Sequence, residues 1–397
     1  MALRAAPRAA EATMVLTRLK LVDFRSYAAA EIEPDAGLTV VAGPNGTGKT
    51  NLLEAIHTTI VGRSHRAGAD AELVRHGAPF ARVRLELGGA TAIELVLPGV
   101  DPPAEVHKRL QVNGVSRRAA SLAEVARVVL FRPEEMLLLV GSPGDRRRFL
   151  DGIVAQRDRR AARDLIEVSR VVAQRNALLR AIRAEEAPLD ALAFWDEKLA
   201  LTGARVMRAR LEVLAGLLGR IGPLHDAVAS PDEHGGAVRL AYVDGLKEAW
   251  PDRSDPAERI PGDDELAAAY RLRIADMRQK EAWNGVSLVG PQRDDLRAEL
   301  GGRDVAAHAS RGQQRTIILA MKLAETDLLG VDGLRPIVLL DDVFSELDPD
   351  RASRLSALLT RRGQVIVTTA DPGTLEGARR REAAVWRIED GALVPEA

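Results

Sequence analysis

Eight consecutive residues, Gly43-Pro44-Asn45-Gly46-Thr47-Gly48-Lys49-Thr50, complete the pattern G-x-x-x-x-G-K-[ST], which is chemistry for holding phosphate. The glycines let the backbone curl until its N–H groups converge on phosphate oxygens, and a helix starting at the end of the loop adds its positive pole. Lys49 brings a mobile cation to the β- and γ-phosphates of a nucleoside triphosphate, and the Thr50 hydroxyl suits Mg²⁺. Far downstream, Pro336-Ile337-Val338-Leu339-Leu340 is continuously apolar, as a strand buried on both faces should be, and it ends in Asp341-Asp342. That is a Walker B pattern. Asp341 at the strand terminus would bind Mg²⁺ through water, while Asp342 would accept a proton from the attacking water or orient it. ATP and Mg²⁺ are therefore the expected cofactors, with Lys49 and Asp342 as catalytic candidates and Thr50 and Asp341 as metal ligands. Adjacent carboxylates also cap helices, but that reading loses force beside a phosphate loop.

A third segment, Ser310-Arg311-Gly312-Gln313-Gln314-Arg315, precedes a helical run over 316–329 and stands about two dozen residues before the Walker B strand. That order resembles the signature motif of ABC-type ATPases. The resemblance implies that Ser310 and Gly312, with Gln313 beside them, face the γ-phosphate held by a second copy, so that two ATP molecules lie between two heads. A bland alternative is a plain helix N-cap at Ser310. Ser345-Glu346-Leu347-Asp348, just after Walker B, looks like the D-loop that crosses the same interface.

The elements that must position these groups read as an α/β head split by a helical insertion. Residues 15–21 alternate as a half-exposed strand, 38–42 form a buried one, and 50–61 have helical spacing. Strand patterns at 81–87 and 92–97 flank a Gly88-Gly89 hairpin turn. Strand signals are lost over 145–222, where long helical patterns break at Pro188 and again at Gly222-Pro223. One strand is expected at 238–243, a helix over 263–281, and strands at 335–340 and 364–368. The predicted fold is thus a P-loop, ABC-type ATPase head with mixed sheets: 14–144 its N-terminal part, 145–282 a mainly helical lobe, and 283–397 the part carrying signature, Walker B and D-loop. Residues 1–13 lack the apolar core of a secretory signal and are expected to be an extension outside the fold, with Met14 an alternative start.

Composition narrows the partners less than the motifs do. The 397 residues allow two domains, and a net charge of -1 with 28% charged residues means that any nucleic-acid site is a local patch. No cysteine is present, which excludes disulfides, thiolate nucleophiles and Cys-ligated zinc. No run approaches the roughly 18 apolar residues of a membrane span, so a soluble protein without a membrane partner is expected, and the lack of cysteine suits the reducing cytoplasm expected for it. Arginine's excess over lysine has an ordinary explanation in GC-rich coding sequence.

Several stretches tighten the resemblance to the RecF family over nearly the whole chain. Leu21-Val22-Asp23-Phe24-Arg25-Ser26-Tyr27 is similar to that family's opening strand and turn, and Gly43 to Glu54 to its phosphate loop, which adds Asn51 to the nucleotide-binding candidates. Gly62-Arg63-Ser64-His65-Arg66, Phe131-Arg132-Pro133-Glu134-Glu135, Gly141-Ser142-Pro143, Arg146 to Asp151 and Gly290 to Asp295 also resemble it. Thr368-Thr369 stands where a transporter ATPase would carry a switch histidine. Gln292 and Arg311 depart from the usual His and Gln, and 131–135 lacks a Q-loop glutamine. What the resemblance implies is an ATP-dependent dimer that binds double-stranded DNA near single-stranded gaps, hydrolyses ATP slowly, works with RecR and RecO and helps to load RecA, in recombinational repair, replication and the SOS response.

Residues 145–183 hold eleven arginines against five acidic residues, and Arg157, Arg159 and Arg160 are the DNA-contact candidates. The alternative is a solvated helix face with i,i+4 pairs. With only 3% aromatics, backbone contact to duplex is favoured over stacking on single strands. Two other classes compete: a transporter ATPase subunit, against which Thr368-Thr369 speaks, and an SMC-like chromosome protein, which needs heptads that the insertion lacks.

Overall fold

The computed structural model describes residues 15–88, 90–230, 233, 235–246, 256, 258–331, 333–370, 383–389 and 392–396. The expected extension over 1–13, and Gly89 of the expected hairpin turn, lie outside these. The chain divides into two compact units, one formed by residues up to Glu135 and from Glu325 onward, the other by Met136–Ala324.

In the first unit, an antiparallel sheet of six strands runs in the order β2-β1-β4-β5-β6-β7: β1 (Leu16–Phe24), β2 (Tyr27–Ile32), β4 (Phe80–Leu87), β5 (Thr91–Pro98), β6 (Arg109–Val112) and β7 (Val115–Ser116). Leu16, Leu19, Leu21 and Phe24 of β1 point into the core, while Arg18 and Lys20 reach across to Glu31 of β2. This one-sided alternation is what a sheet with one covered face requires. A second sheet runs β15-β14-β3-β13-β12-β8, comprising β3 (Leu38–Ala42), β8 (Val128–Phe131), β12 (Ile337–Asp341), β13 (Val365–Thr369), β14 (Ala384–Glu389) and β15 (Ala392–Pro395). Its strands from β14 to β8 are parallel, and every residue of β3, β8, β12 and β13 is buried. Helix α1 (Lys49–Val61) fills the space between the sheets, since its Leu52, Leu53, Ile56 and Ile60 share one core with Leu85 and Leu95 of the first and Leu130, Leu339 and Ile366 of the second.

The second unit is mainly helical. It contains α2 (Pro143–Arg157), α3 (Arg159–Arg183), α4 (Ala193–Val228), α5 (Asp263–Asn284), short α6 (Val305–His308), the first turns of α7 (Arg311–Leu329) and a three-stranded sheet, β11-β10-β9, of Val238–Val243 (β9), Asp295–Leu300 (β10) and Arg303–Asp304 (β11). It is wider than the lobe expected over 145–282, because β9 and β10 pair along their length and Thr316 of α7 bonds to Glu233. Helix α4 does not break at Gly222-Pro223: Pro223 lies inside it. The ring crowds the carbonyl of Gly219 and removes one helix donor, but Leu217, Ile221, Leu224 and Val228 are buried on both sides of it. Their burial outweighs a defect that costs about 3 kcal/mol in an isolated helix. Arg175 on α3 is fully buried, donating to Asp196 (2.9 Å), Glu281 (2.6 Å) and Ser287 (2.8 Å), and so ties α3, α4 and α5 together. Among the described residues, no helix is long and apolar enough to cross a membrane.

Candidate nucleotide-binding site

Register brings the two phosphate-handling motifs to one edge. Strand β13 lies between β3 and β12, with Thr369 level with Ala42 and Thr368 level with Asp341. The loop after β3 and the carboxylates ending β12 therefore emerge side by side, at the carboxyl ends of parallel strands where such sheets bind ligands. Gly46 (φ 84°) and Gly48 (φ 108°) take left-handed backbone, and a Cβ on Gly48 would lie 2.7 Å from Ser26 Oγ. Tyr27, its phenol kept protonated by burial, donates to the Gly48 carbonyl at 3.0 Å. Thus the residues after β1 set the floor of the loop.

Lys49 is 7% exposed, and its Nζ donates to the carbonyls of Gly43 (2.7 Å) and Pro44 (2.9 Å), with Asn45 Oδ1 at 3.5 Å. Burial pushes its ammonium below the ordinary lysine range, against the opposing pull of Asp342 and Asp341. Thr50 Oγ1 donates to Asp341 Oδ1 at 3.0 Å, and Thr368 Oγ1 donates to the same oxygen at 2.7 Å. The Thr368 hydroxyl also accepts from the Asp342 amide (3.2 Å), so it holds the Asp341 carboxylate and the Asp342 backbone together. Asp342 has φ 51°, a conformation that costs a non-glycine residue about 1 kcal/mol or more, and its Oδ1 is buried without a hydrogen-bond partner. Strain and an orphaned carboxylate oxygen together fit a group poised for water or a ligand. Thr50 Oγ1 and the Asp341 carboxylate, 3.0 Å apart, are the groups that could hold Mg²⁺.

Sequence reasoning missed the support around α1. Glu54, fully buried, accepts two bonds from Arg25 (2.9 and 3.0 Å) and one from Ser64 (2.6 Å). Burial alone would raise its pKa, but the bonds from Arg25 and Ser64 and the charges of Arg25 and Arg66 hold the carboxyl below its ordinary range. Asn51 donates to Ser26 (3.0 Å) and accepts from Arg66 (3.3 Å), so it braces the loop's neighbour. His65 stacks edge-on against His57, and burial, aided by the charge of Arg132, lowers it to about 4. The signal was the one-turn spacing of Asn51 and Glu54 on a helix that begins in the loop.

Ser310, Gly312 and Gln313 belong to the second unit. Ser310 and Arg311 are exposed and 312–315 half-buried. The Ser310 hydroxyl accepts from the Gln313 amide (3.2 Å), and Gln313 Oε1 accepts from the Ser310 amide (3.0 Å). This reciprocal capping box fulfils the plain N-cap reading and leaves the segment at the surface. In the first unit, Ser345 donates to the Asp342 carbonyl (2.7 Å) and Asp348 caps α8 (Pro349–Thr360).

The arginine stripe divides. Arg146 pairs with Asp295 (2.7 Å), Arg147 donates to the Asp294 carbonyl (2.6 Å), Arg148 pairs with Asp145, and Arg175 is core. Arg157, Arg159 and Arg160 are exposed at the α2–α3 junction, with Arg163, Arg170, Arg180 and Arg183 along α3.

The model of the RecF/RecN/SMC N terminal domain matches residues 15–392. The DNA replication and repair protein RecF of Roseiflexus castenholzii is 37% identical over 96% of this chain and its own full length. That of Streptomyces avermitilis is 38% identical, covering 92% of this chain and 97% of its own. Two solved structures of the recombination mediator protein RecF in the RecFOR pathway are similar throughout. RecF-ATPrS has a TM-score of 0.85 at 26% identity, covering 97% of this chain and 99% of its own. RecF-ATP has a TM-score of 0.83 at 26% identity, covering 98% and 99%. Since family model, relatives and solved structures all span this phosphate loop, the inserted helices and the Walker B strand, the chain belongs to the RecF family.

Proposed function

We propose that this chain is a cytoplasmic ATP-driven switch that holds double-stranded DNA near single-stranded gaps in recombinational repair and replication. The observation that carries the reading is the convergence of Lys49, Thr50, Asp341 and Asp342 on one edge, with Thr50 Oγ1 3.0 Å from Asp341, in a chain similar to RecF bound to ATP. Two copies share each ATP: Gly43 to Asn51 hold it from one, while Ser310, Gly312 and Gln313 of the other cap its γ-phosphate. Bound Mg²⁺, held through Thr50 and Asp341, would neutralise phosphate charge. Asp342 takes the proton of the attacking water as the bond from the γ-phosphorus to the β–γ bridging oxygen breaks, and ADP leaves with the bonding electrons. Departure of the γ-phosphate removes the interactions unique to the closed pair, so hydrolysis shifts the population towards single chains. Turnover is slow in this scheme, because ATP serves as a timer. RecR, RecO and RecA are the expected partners.

The test is binding to gapped duplex DNA with ATP, with ADP as control. Tight binding is expected with ATP alone; equal binding with ADP rejects the switch. Replacing Arg157, Arg159 and Arg160 together with Ala should flatten the salt dependence of duplex binding, by roughly 0.9 in log–log slope for each phosphate that is no longer neutralised. An unchanged slope places the DNA elsewhere.

A further inference from the structure

The first turn of α7 makes an interaction that phosphate chemistry does not require. Gly312 and Thr316 are one turn apart and share a face, and both meet the carboxylate of Glu233. Thr316 Oγ1 donates to Glu233 Oε2 at 2.7 Å, and the Ser230 amide donates to the same oxygen at 3.2 Å. A Cβ on Gly312 would stand 2.5 Å from Glu233 Oε1. Glu233 is 6% exposed and Thr316 fully buried, so this charge is held inside the protein, where a carboxylate persists only if it is bonded. The same loop, between α4 and β9, also touches Gln313: a Cβ on Gly235 would lie 3.1 Å from its Nε2. Gly312 thus has an intramolecular reason to be glycine.

We propose that Glu233 is a positioning residue for the 310–313 turn, gripping its flank through Thr316 and Gly312 so that Ser310 and the turn's amides keep the orientation that caps a nucleotide on a second copy. This rests on the shared-nucleotide reading above. Glu233 itself touches no nucleotide. Its removal therefore loosens association and turnover without changing how a single chain binds ATP.

Sedimentation with ATP, beside binding of a fluorescent ATP analogue at concentrations where chains are single, separates these effects. Thr316→Val, which keeps the shape and removes the hydroxyl, should weaken ATP-driven association about tenfold with analogue affinity unchanged, as expected when a bond to a charged acceptor is removed. Thr316→Ser should behave as the unmodified chain. Glu233→Ala should weaken association at least as much as Thr316→Val, again with analogue affinity unchanged. Thr316→Val associating normally, or losing analogue affinity as a single chain as much as it loses association, would overturn the proposal. If Glu233→Ala fails to fold, the two Thr316 variants decide. An unmodified chain that binds ATP but never associates rejects the shared-nucleotide reading, and this one with it.

Discussion

Lys49→Ala should bind ATP about a hundredfold more weakly and fail to associate at any ATP concentration that pairs the unmodified chain. Lys49 is the one cation of the loop, and it is buried at the start of α1. Burial has already stripped much of its hydration, which strengthens the attraction between its ammonium and a polyphosphate. Titration of a fluorescent ATP analogue, followed by sedimentation, measures both parts. Near-normal affinity in Lys49→Ala would mean that the loop amides alone hold the nucleotide.

Asp342→Asn should slow ATP turnover by a hundredfold to ten-thousandfold, roughly the contribution of a positioned general base, and at the same time lengthen the life of the ATP-bound pair. The substitution keeps shape and hydrogen-bond reach but removes the basic oxygen. Asn also tolerates left-handed backbone, so the φ of 51° should survive and the fold should not suffer. Phosphate release and dissociation after ATP chase are the two readouts. A variant that turns over normally, or a pair that falls apart at the usual rate despite blocked hydrolysis, would remove Asp342 from the role assigned to it.

How far these residues were legible in advance depends on the range of the forces that place them. The phosphate loop and the Walker B strand were readable because they are local: five buried residues of β3 lead into Gly43, and an apolar run leads into Asp341. Strands β14 and β15 were not, since β14 finds its place only by pairing with β3, far away in the chain. Nor were β6 and β7, which are four and two residues long and too short to show a period. Pro223 read as a helix end because propensity is local, whereas the burial that carries α4 through it is not. Arg175 read as one more arginine of a basic stripe; its partners Glu281 and Ser287 lie more than a hundred residues away, and nothing near it in the chain distinguishes it from Arg170 or Arg180. Thr368 was noted as half of a pair, but its bridging of Asp341 and Asp342 follows only from strand register.

The sharing of each nucleotide between two copies is tested most directly by mixing two defective chains, Lys49→Ala and Ser310→Arg. Each alone should remain single in ATP during sedimentation, with Ser310→Arg still binding the nucleotide. Mixed, they should pair, because one composite site then joins an intact loop to an intact 310–313 turn, and one ATP should be retained per pair. Pairing of Ser310→Arg by itself, or its failure to bind ATP as a single chain, would show that Ser310 acts within its own molecule and would contradict the account.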